Sequence, residues 1–396
     1  MFAKFLIMIR RLQSKLCSQA KGKIAKSHAQ SFSTINETER IQANMKTQAT
    51  PNPDASISNA RPRSTSIPFI DTENLQGRIV ISGTFHDRNQ WKTWVSSADG
   101  QLLELKITNM TDGFYFASQP QSPSDANFEF MNFIAQHASF PELKKAILGI
   151  MDDISNLSAS LSKLKLLHDS RNEIGTGIVK MAATEVEYIL SVCRSLFDLL
   201  QEVIAKLWEM VTITDPSITK RSMKNKKSFA DIAVSNEKPV EAHALVEKYG
   251  LPHALADLYA SSAPFFIGLR KIRDNLIHNG SNLQTIFSSD TDFLISGHLR
   301  PFDDMKIWRD EENAPNNLVP LRPAINAVVY RTLAVCERFS VIMQQNFQLP
   351  PPLVPGMRIF MRGPFNDFFL DAMTDAMHRE SILVATAPAN QAPTEQ

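Results

Sequence analysis

Two long stretches of the chain repeat apolar residues at steps of three and four, which is the period of one helix face. The first series consists of Leu143, Ile147, Ile150, Ile154, Leu157, Leu161 and Leu164. The second consists of Ile178, Ala182, Val186, Ile189, Cys193, Leu196, Leu200, Val203 and Leu207. Only a short segment, 171–177, separates the two predicted helices, and it contains two glycines. The pattern therefore predicts an antiparallel helical hairpin that forms the core of a bundle.

Local signals predict where other helices begin and end. Ser139 and Glu142 have the spacing of a capping box in front of the first long helix. Asn279-Gly280 is a typical helix end, and Pro323 is suited to open a late helix whose apolar stripe reaches Met343. Further helices are predicted over 240–249, after Pro252, from about Ser262 to Asn279, and near 365–377.

Residues 75–117 alternate apolar and polar side chains, which is the period of strands with one buried face. The predicted strands are Arg78–Ser82, Trp91–Val95, Leu103–Ile107 and Phe114–Phe116, with a turn at 98–100. Together they predict a small antiparallel meander that packs against another part of the protein. Trp91 and Trp94 then face opposite sides of the sheet, which favours core packing over a surface for stacking bases.

These elements predict an α+β fold that is mainly α, namely a helical bundle with a small N-terminal antiparallel β meander. The length of 396 residues suggests two to three units. The predicted regions are a basic leader and disordered linker over 1–66, a small β-rich region over 67–120, the helical bundle over 124–380 and a disordered tail over 381–396. A basic loop insertion over 213–239 interrupts the bundle.

The formal net charge of +1 conceals an uneven distribution. Residues 1–36 contain seven Lys or Arg and no Asp or Glu, so the rest of the chain has a charge of −6. A basic, amphipathic, acid-free leader is typical of an organelle transit peptide. Binding to an anionic membrane surface or to RNA, a disordered tail, and a true start at Met45 are the alternatives.

The remaining composition bears on the cellular compartment. The apolar run at 5–9 is too short to span a membrane. Three scattered cysteines form neither a disulfide framework nor a zinc motif and indicate a reducing compartment. We therefore expect a cytoplasmic protein without integral membrane association, or one that residues 1–36 target to an organelle.

Few residues carry recognisable chemistry. The common motifs for phosphate, zinc and nucleophilic chemistry are absent, so no metal and no cofactor is predicted. Five basic residues fall within eight positions of the loop insertion, namely Lys220, Arg221, Lys224, Lys226 and Lys227. Such a loop can bind the phosphates of a nucleic acid, or it can be a solvated insertion. Both interpretations remain open.

The segment Leu269–Gly280 is the one candidate for catalysis. Arg273 is followed directly by Asp274 and, five positions along, by His278, at the end of an apolar helix. This arrangement resembles the motif of the HEPN superfamily (higher eukaryote and prokaryote nucleotide-binding), and the helical bundle resembles its all-α context. The resemblance implies a homodimeric protein that binds or cleaves RNA in a toxin or defence setting.

The chemistry suits these residue types. Attack by the RNA 2′-hydroxyl needs a proton acceptor and donor near neutral pH, where histidine titrates. The resemblance implies that His278 is the general acid and base and that Arg273 binds the phosphate. Asp274 is then an orienting group, and the reaction needs no metal. Arg273 and His278 lie about 140° apart around a straight helix. In the family this obstacle is removed because the helix ends of two subunits meet at the site.

A second interpretation treats the same residues as structural. Arg270, Asp274 and His278 follow one another at four-residue steps, which is the spacing of an ion-pair ladder on one helix face. His278 also suits the negative end of its helix. The protein is then a non-catalytic interaction or scaffold protein, so the sequence leaves open whether it is an enzyme.

Overall fold

The computed structural model describes the backbone of residues 63–64, 67–96, 101–223, 225–279, 285–297 and 307–386. Side chains are described in the same ranges except at 63–64, 272–279 and 382–386. These residues all belong to one compact unit that begins at Arg63. The predicted leader up to residue 62, the turn at 98–100 and most of the tail lie outside the described residues.

Helices dominate the described part of the chain, which confirms the mainly α prediction. They are α1 Glu129–His137, α2 Lys144–Asp169, α3 Arg171–Ile174, α4 Ile178–Met210, α5 Ala230–Ala233, α6 Ala242–Tyr249, α7 His253–Asn279, α8 Leu321–Asn346 and α9 Asn366–Thr386. Every residue of the two apolar series is buried. The period of three and four therefore identified the inward faces of α2 and α4 correctly.

Helices α2 and α4 form the predicted antiparallel hairpin. The Lys206 ammonium near the end of α4 donates to the Glu142 carbonyl just before α2, at 2.7 Å. Further along, Lys163 forms an ion pair with the buried Glu185. The turn between the helices contains α3 and Gly175, whose φ of +66° is the left-handed conformation that glycine adopts without strain.

Helix α4 lies at the centre of the bundle, where it packs against α2, α7 and α8. Its buried residues cover more than half of the helix circumference, and they include the polar Gln201, which has no exposed surface. The side-chain oxygen of Gln201 accepts a 2.6 Å hydrogen bond from the Tyr259 hydroxyl on α7. Its amide nitrogen donates to the Lys226 carbonyl at 3.2 Å. One buried amide thus joins α4, α7 and the basic loop.

A six-stranded sheet packs against the helices. The strands of the molecule are β1 Arg63–Ser64, β2 Thr84–Asp87, β3 Gln90–Ser96, β4 Leu102–Ile107, β5 Gly113–Ala117, β6 Thr212–Ile213, β7 Val234–Ser235, β8 Lys238–Pro239, β9 Phe287–Ser288, β10 Phe293–Ser296, β11 Leu318–Pro320, β12 Phe347–Gln348 and β13 Arg358–Arg362. The large sheet has the order β1-β4-β3-β2-β5-β13. Smaller sheets are β9-β10-β11, β6-β12 and β7-β8.

The predicted meander is present as β2, β3 and β4, which pair antiparallel in chain order. Strand β5 pairs with β2 in parallel, and β13 pairs with β5 antiparallel. Because β13 comes from residues 358–362, the sheet extends beyond the predicted β-rich region. Phe85, Trp94 and Phe116 lie in the same hydrophobic core as the helices.

Trp91 and Trp94 are both buried, as expected for residues that face opposite sides of one strand. Trp94 belongs to the main core, whereas Trp91 packs with Tyr115 on the outer face. The Arg362 guanidinium lies 4.8 Å from the centre of the Trp91 ring and pairs with Asp125 through two 2.7 Å hydrogen bonds. The outer face is thus covered by this cation.

The strand predicted at Arg78–Ser82 is wrong, because the backbone there is irregular. The buried Arg78 side chain explains the difference. Its guanidinium donates to the carbonyls of Leu75 at 3.0 Å and Pro351 at 2.6 Å, and also to those of Asn74 and Gln136. A guanidinium that satisfies four carbonyls fixes this segment as a loop rather than as a sheet strand.

Some predicted helix ends also differ from the structure. Ser139 does not cap α2, since its hydroxyl donates to the Ala135 carbonyl at 3.3 Å and a 3₁₀ turn, Pro141–Leu143, precedes the helix. The helices predicted after Pro252 and from Ser262 are one continuous helix, α7, with Pro264 inside it. Helix α9 continues to Thr386, past the predicted start of the tail at residue 381.

Helix α1 receives its N-terminal cap from another helix. Phe128 occupies the cap position and offers no side-chain hydrogen bond. The Glu337 carboxyl on α8 instead accepts the backbone N–H groups of Glu129 and Phe130. Burial, reinforced by the nearby Glu129 carboxylate, raises the pKa of Glu337 to about 8. In the folded protein Glu337 therefore stays protonated up to about pH 8. In the unfolded chain the same carboxyl loses its proton at the ordinary pKa of glutamate.

Stability should consequently fall as the pH rises from about 5 to 8.5, by roughly 1–3 kcal/mol from this group. We expect Glu337→Gln to remove that part of the decline, because the amide keeps an acceptor oxygen and carries no charge. Urea unfolding at both pH values measures the change, with Glu247→Gln on the exposed side of α6 as the control. If wild type and Glu337→Gln differed in free energy of unfolding by the same amount at both pH values, this account would be contradicted.

Candidate functional site

The motif residues Arg273, Asp274 and His278 lie on the last two turns of α7, which ends at Asn279. Their side chains lie outside the described residues. The helix end agrees with the cap predicted at Asn279-Gly280, of which Gly280 is outside the described part. The structure therefore places the motif at the C-terminal end of a 27-residue helix.

The preceding part of α7 is held firmly by the bundle. Phe266 has no exposed surface and packs against Phe197 of α4 and Phe229, with ring centres 5.5 and 5.0 Å away. Leu269 is also fully buried, whereas Arg270 and Lys271 are exposed. Because α7 is packed up to Leu269, the direction of its final turns is set by the bundle.

The basic loop lies across the C-terminal end of α4. The Lys220 ammonium donates to the carbonyls of Trp208 and Val211, at 2.5 and 2.7 Å. Trp208 belongs to the last turn of α4 and Val211 directly follows the helix, and a cation at this end is favoured by the helix dipole. Burial lowers the pKa of Lys220, and the carboxylate of Glu209 partly offsets this effect. Lys220 is therefore committed to capping a helix.

The other basic residues of the loop have different surroundings. Arg221 and Lys227 are exposed, Lys226 is half-buried, and Lys224 lies outside the described residues. Their backbone groups hold the loop in place, since the Arg221 carbonyl accepts a 2.7 Å hydrogen bond from the Trp208 indole. Binding of nucleic acid by these residues remains a prediction.

The loop contacts α7 at two levels. Gln201 connects Lys226 of the loop to Tyr259. Phe229, which also belongs to the loop, packs against Phe266, and Phe266 precedes Arg273 by seven residues, or roughly 10 Å along the helix. An RNA strand that contacts both regions would therefore extend along α7.

A second candidate site is a cleft of about 640 Å³ on another part of the molecule. It is formed by the β9–β10 turn, the 3₁₀ turn Asp310–Glu312, the start of α8 and the exposed side of α9. Its volume falls within the range of roughly 300–1,000 Å³ that is usual for small-molecule sites. Five carboxylates and two guanidinium groups line it, namely Asp292, Glu311, Glu312, Asp371, Asp375, Arg322 and Arg379.

Arg379 occupies the centre of an ion-pair cluster in this cleft. It donates two 2.7 Å hydrogen bonds to Glu312 and one of 2.8 Å to Asp375. These carboxylates raise the pKa of Arg379, and Arg379 in turn holds the pKa of Glu312 below its usual value. This cluster ties the 3₁₀ turn to α9 and so fixes one wall of the cleft.

Asp292, Arg322 and Asn326 form the floor. They also line a second cavity of about 10 Å³, roughly the space of one water molecule. Arg322 lies 3.6 Å from Asp292. Burial raises the pKa of Asp292, and the Arg322 charge partly opposes that shift. Asn326 is almost fully buried and its amide oxygen has no hydrogen-bond partner.

Sequence reasoning missed this cleft. Glu311 and Glu312 belong to a visible acidic run, but Asp292 and Asp371 are single residues far from it along the chain. The clearest available signal was Asn326, which is a polar residue inside the apolar run 324–329.

Two general properties concern the described part of the chain as a whole. It contains no group of three or more His, Cys, Asp or Glu side chains placed to hold a metal ion. None of its helices combines the length and the apolar character that crossing a membrane requires.

Comparisons of the chain with family models, with curated proteins and with solved structures find no match. The assignment of function therefore depends on the residues themselves.

The role of Lys220 can be tested by substitution. We expect Lys220→Ala to lower the free energy of unfolding by about 1–2 kcal/mol, because two helix-end carbonyls lose a charged donor. Lys227→Ala, in the same loop but exposed, should change it by less than about 0.5 kcal/mol. Urea unfolding of both variants measures the difference, and equal effects would show that Lys220 is not a cap.

Proposed function

We propose that this protein is a HEPN-like helical protein that binds RNA and cleaves it without a metal ion. The observation that supports the proposal is the position of Arg273, Asp274 and His278 on the last two turns of α7, a helix held within a mainly α bundle. A helix end can approach a ligand or a second subunit more closely than the middle of a packed helix can. A toxin or defence role belongs to the same proposal.

The proposed reaction is attack of the RNA 2′-hydroxyl on the neighbouring phosphorus. His278 accepts the hydroxyl proton and, once protonated, returns it to the 5′ oxygen that leaves. Arg273 stabilises the additional negative charge on the phosphate. The products are a 2′,3′-cyclic phosphate and a free 5′-hydroxyl, so atoms and charge balance without a cofactor.

The angle of about 140° between Arg273 and His278 calls for a second subunit in this proposal. Two copies of α7 that meet at their C-terminal ends would bring Arg273 of one copy near His278 of the other. Arg270 and Lys271, which are exposed just before the motif, add positive charge on the approach to that end.

One observation favours the alternative, a non-catalytic interaction or scaffold protein. One half-buried cation of the basic loop, Lys220, caps α4 and contributes to the fold instead of facing a ligand. If Arg273 and His278 likewise contribute to the fold, the protein has no catalytic residues at this helix end. The bundle then serves to bind a partner.

Cleavage of a fluorescent single-stranded RNA in excess chelator distinguishes the two functions. We expect His278→Ala and Arg273→Ala to reduce the cleavage rate by about 10²-fold or more. His253→Ala is the matched control, because His253 is an exposed histidine at the other end of the same helix. It should cleave like the wild type. Equal activity of wild type and His278→Ala would exclude the catalytic role.

A further inference from the structure

The cleft between the β9–β10 turn, α8 and α9 combines negative charge with an unsatisfied acceptor. Of the charged groups that line it, five are carboxylates and two are guanidinium groups. Arg379 is fully used by Glu312 and Asp375. Asp371 and Glu311 form no ion pair with any other residue that the structure describes. The cleft therefore carries an excess of negative charge that attracts cations.

Asn326 supplies an independent indication of a ligand. Four Asn and Gln side chains are buried among the described residues, namely Gln136, Gln201, Asn326 and Asn366. The amide oxygens of the other three accept hydrogen bonds, whereas the Asn326 oxygen has none. A buried acceptor without a partner costs about 1–3 kcal/mol, so its retention calls for an explanation.

The surroundings of Asn326 show where a partner would come from. Its side chain is 3% exposed and lines both the large cleft and the small cavity beneath it. The small cavity has about the volume of one water molecule or one ammonium group. The Asn326 amide therefore lies with Asp292 and Arg322 at the boundary between the cleft and the small cavity.

The remaining walls indicate an elongated ligand. The acidic side chains come from separate elements, with Asp371 on α9, Glu311 on the 3₁₀ turn and Asp292 on the hairpin turn. Leu294 and Phe368 add apolar surface to the same cleft. A single small cation can pair with only one of these acidic groups. A chain of methylene groups with a cation at each end can contact the apolar side chains and pair with two acidic groups.

We propose that this cleft binds a linear aliphatic polyamine, with one ammonium group donating to the Asn326 amide oxygen and another near Asp371. The amide accepts a hydrogen bond that the protein leaves unmade. Asp371 and Glu311 neutralise the outer charge, and Phe368 and Leu294 contact the methylene groups. No residue of α7 is among the described residues that line the site, so the proposal does not depend on the proposed function.

Calorimetric titration of the full chain with spermidine tests the proposal. We expect saturable binding of one spermidine, and a higher melting temperature in its presence. Asn326→Leu and Asp371→Asn should each weaken binding at least about tenfold. Asn326→Asp keeps an acceptor and adds charge, so it should bind as tightly as the wild type or more tightly. Glu247→Gln, outside the cleft, is the matched control and should bind normally.

The same titrations identify the results that would overturn the proposal. Binding of spermidine that is absent, or unaffected by Asn326→Leu and Asp371→Asn, excludes this site. An equal response to Mg²⁺ or to NaCl at matched ionic strength shows only general charge screening. Binding of inorganic phosphate in place of spermidine shows that Arg322 and an amide donor define an anion site. Asp371 is exposed, so Asp371→Asn remains informative even if Asn326→Leu fails to fold.

Discussion

The burial of α4 is the constraint on which the rest of the structure depends. This 33-residue helix packs against α2, α7 and α8, and its buried residues face all of them. A helix with so broad a buried face needs partners on several sides, so the other long helices pack against it and leave only a stripe from Lys180 to Glu209 toward solvent. Polar groups in the C-terminal half of α4 then position two neighbouring elements. Gln201 forms a hydrogen bond to α7, and the indole and carbonyl of Trp208 form hydrogen bonds to the basic loop.

This arrangement determines where function can reside. The described side chains of α7 include buried residues up to Leu269, and the motif follows on the last two turns of the helix. The basic loop is held along the same part of α7, through Gln201 and Tyr259 and through the packing of Phe229 on Phe266. Helices α8 and α9, together with the β9–β11 sheet, enclose the acidic cleft. The two candidate sites are thus built from different elements of one bundle.

The long helices could be predicted because their signal is local and repeated. A stripe such as Ile147, Ile150 and Ile154 records burial directly in its spacing. Features made by single contacts between distant residues could not be predicted in this way. The Arg78 guanidinium converts a strand-like segment into a loop through carbonyls as far away as Pro351, and Glu337 caps a helix 208 positions earlier in the chain.

The candidate sites differ in the same respect. Arg273, Asp274 and His278 could be singled out because their chemistry lies within six consecutive residues. The cleft was missed because it is assembled from separate parts of the chain and depends on an amide that lacks a partner. A polar residue in an apolar run marks such a position, but only the packing around Asn326 shows that its oxygen is unsatisfied.

The central claim is that Arg273 and His278 act together across two copies of α7. Mixing Arg273→Ala protein with His278→Ala protein, each inactive alone, tests it most directly. After the subunits exchange, a mixed dimer retains one site with an intact Arg273 from one copy and an intact His278 from the other. The account predicts that RNA cleavage in chelator returns, to about a quarter of the wild-type rate for random pairing. Mixtures that stay inactive although the subunits have exchanged would contradict it.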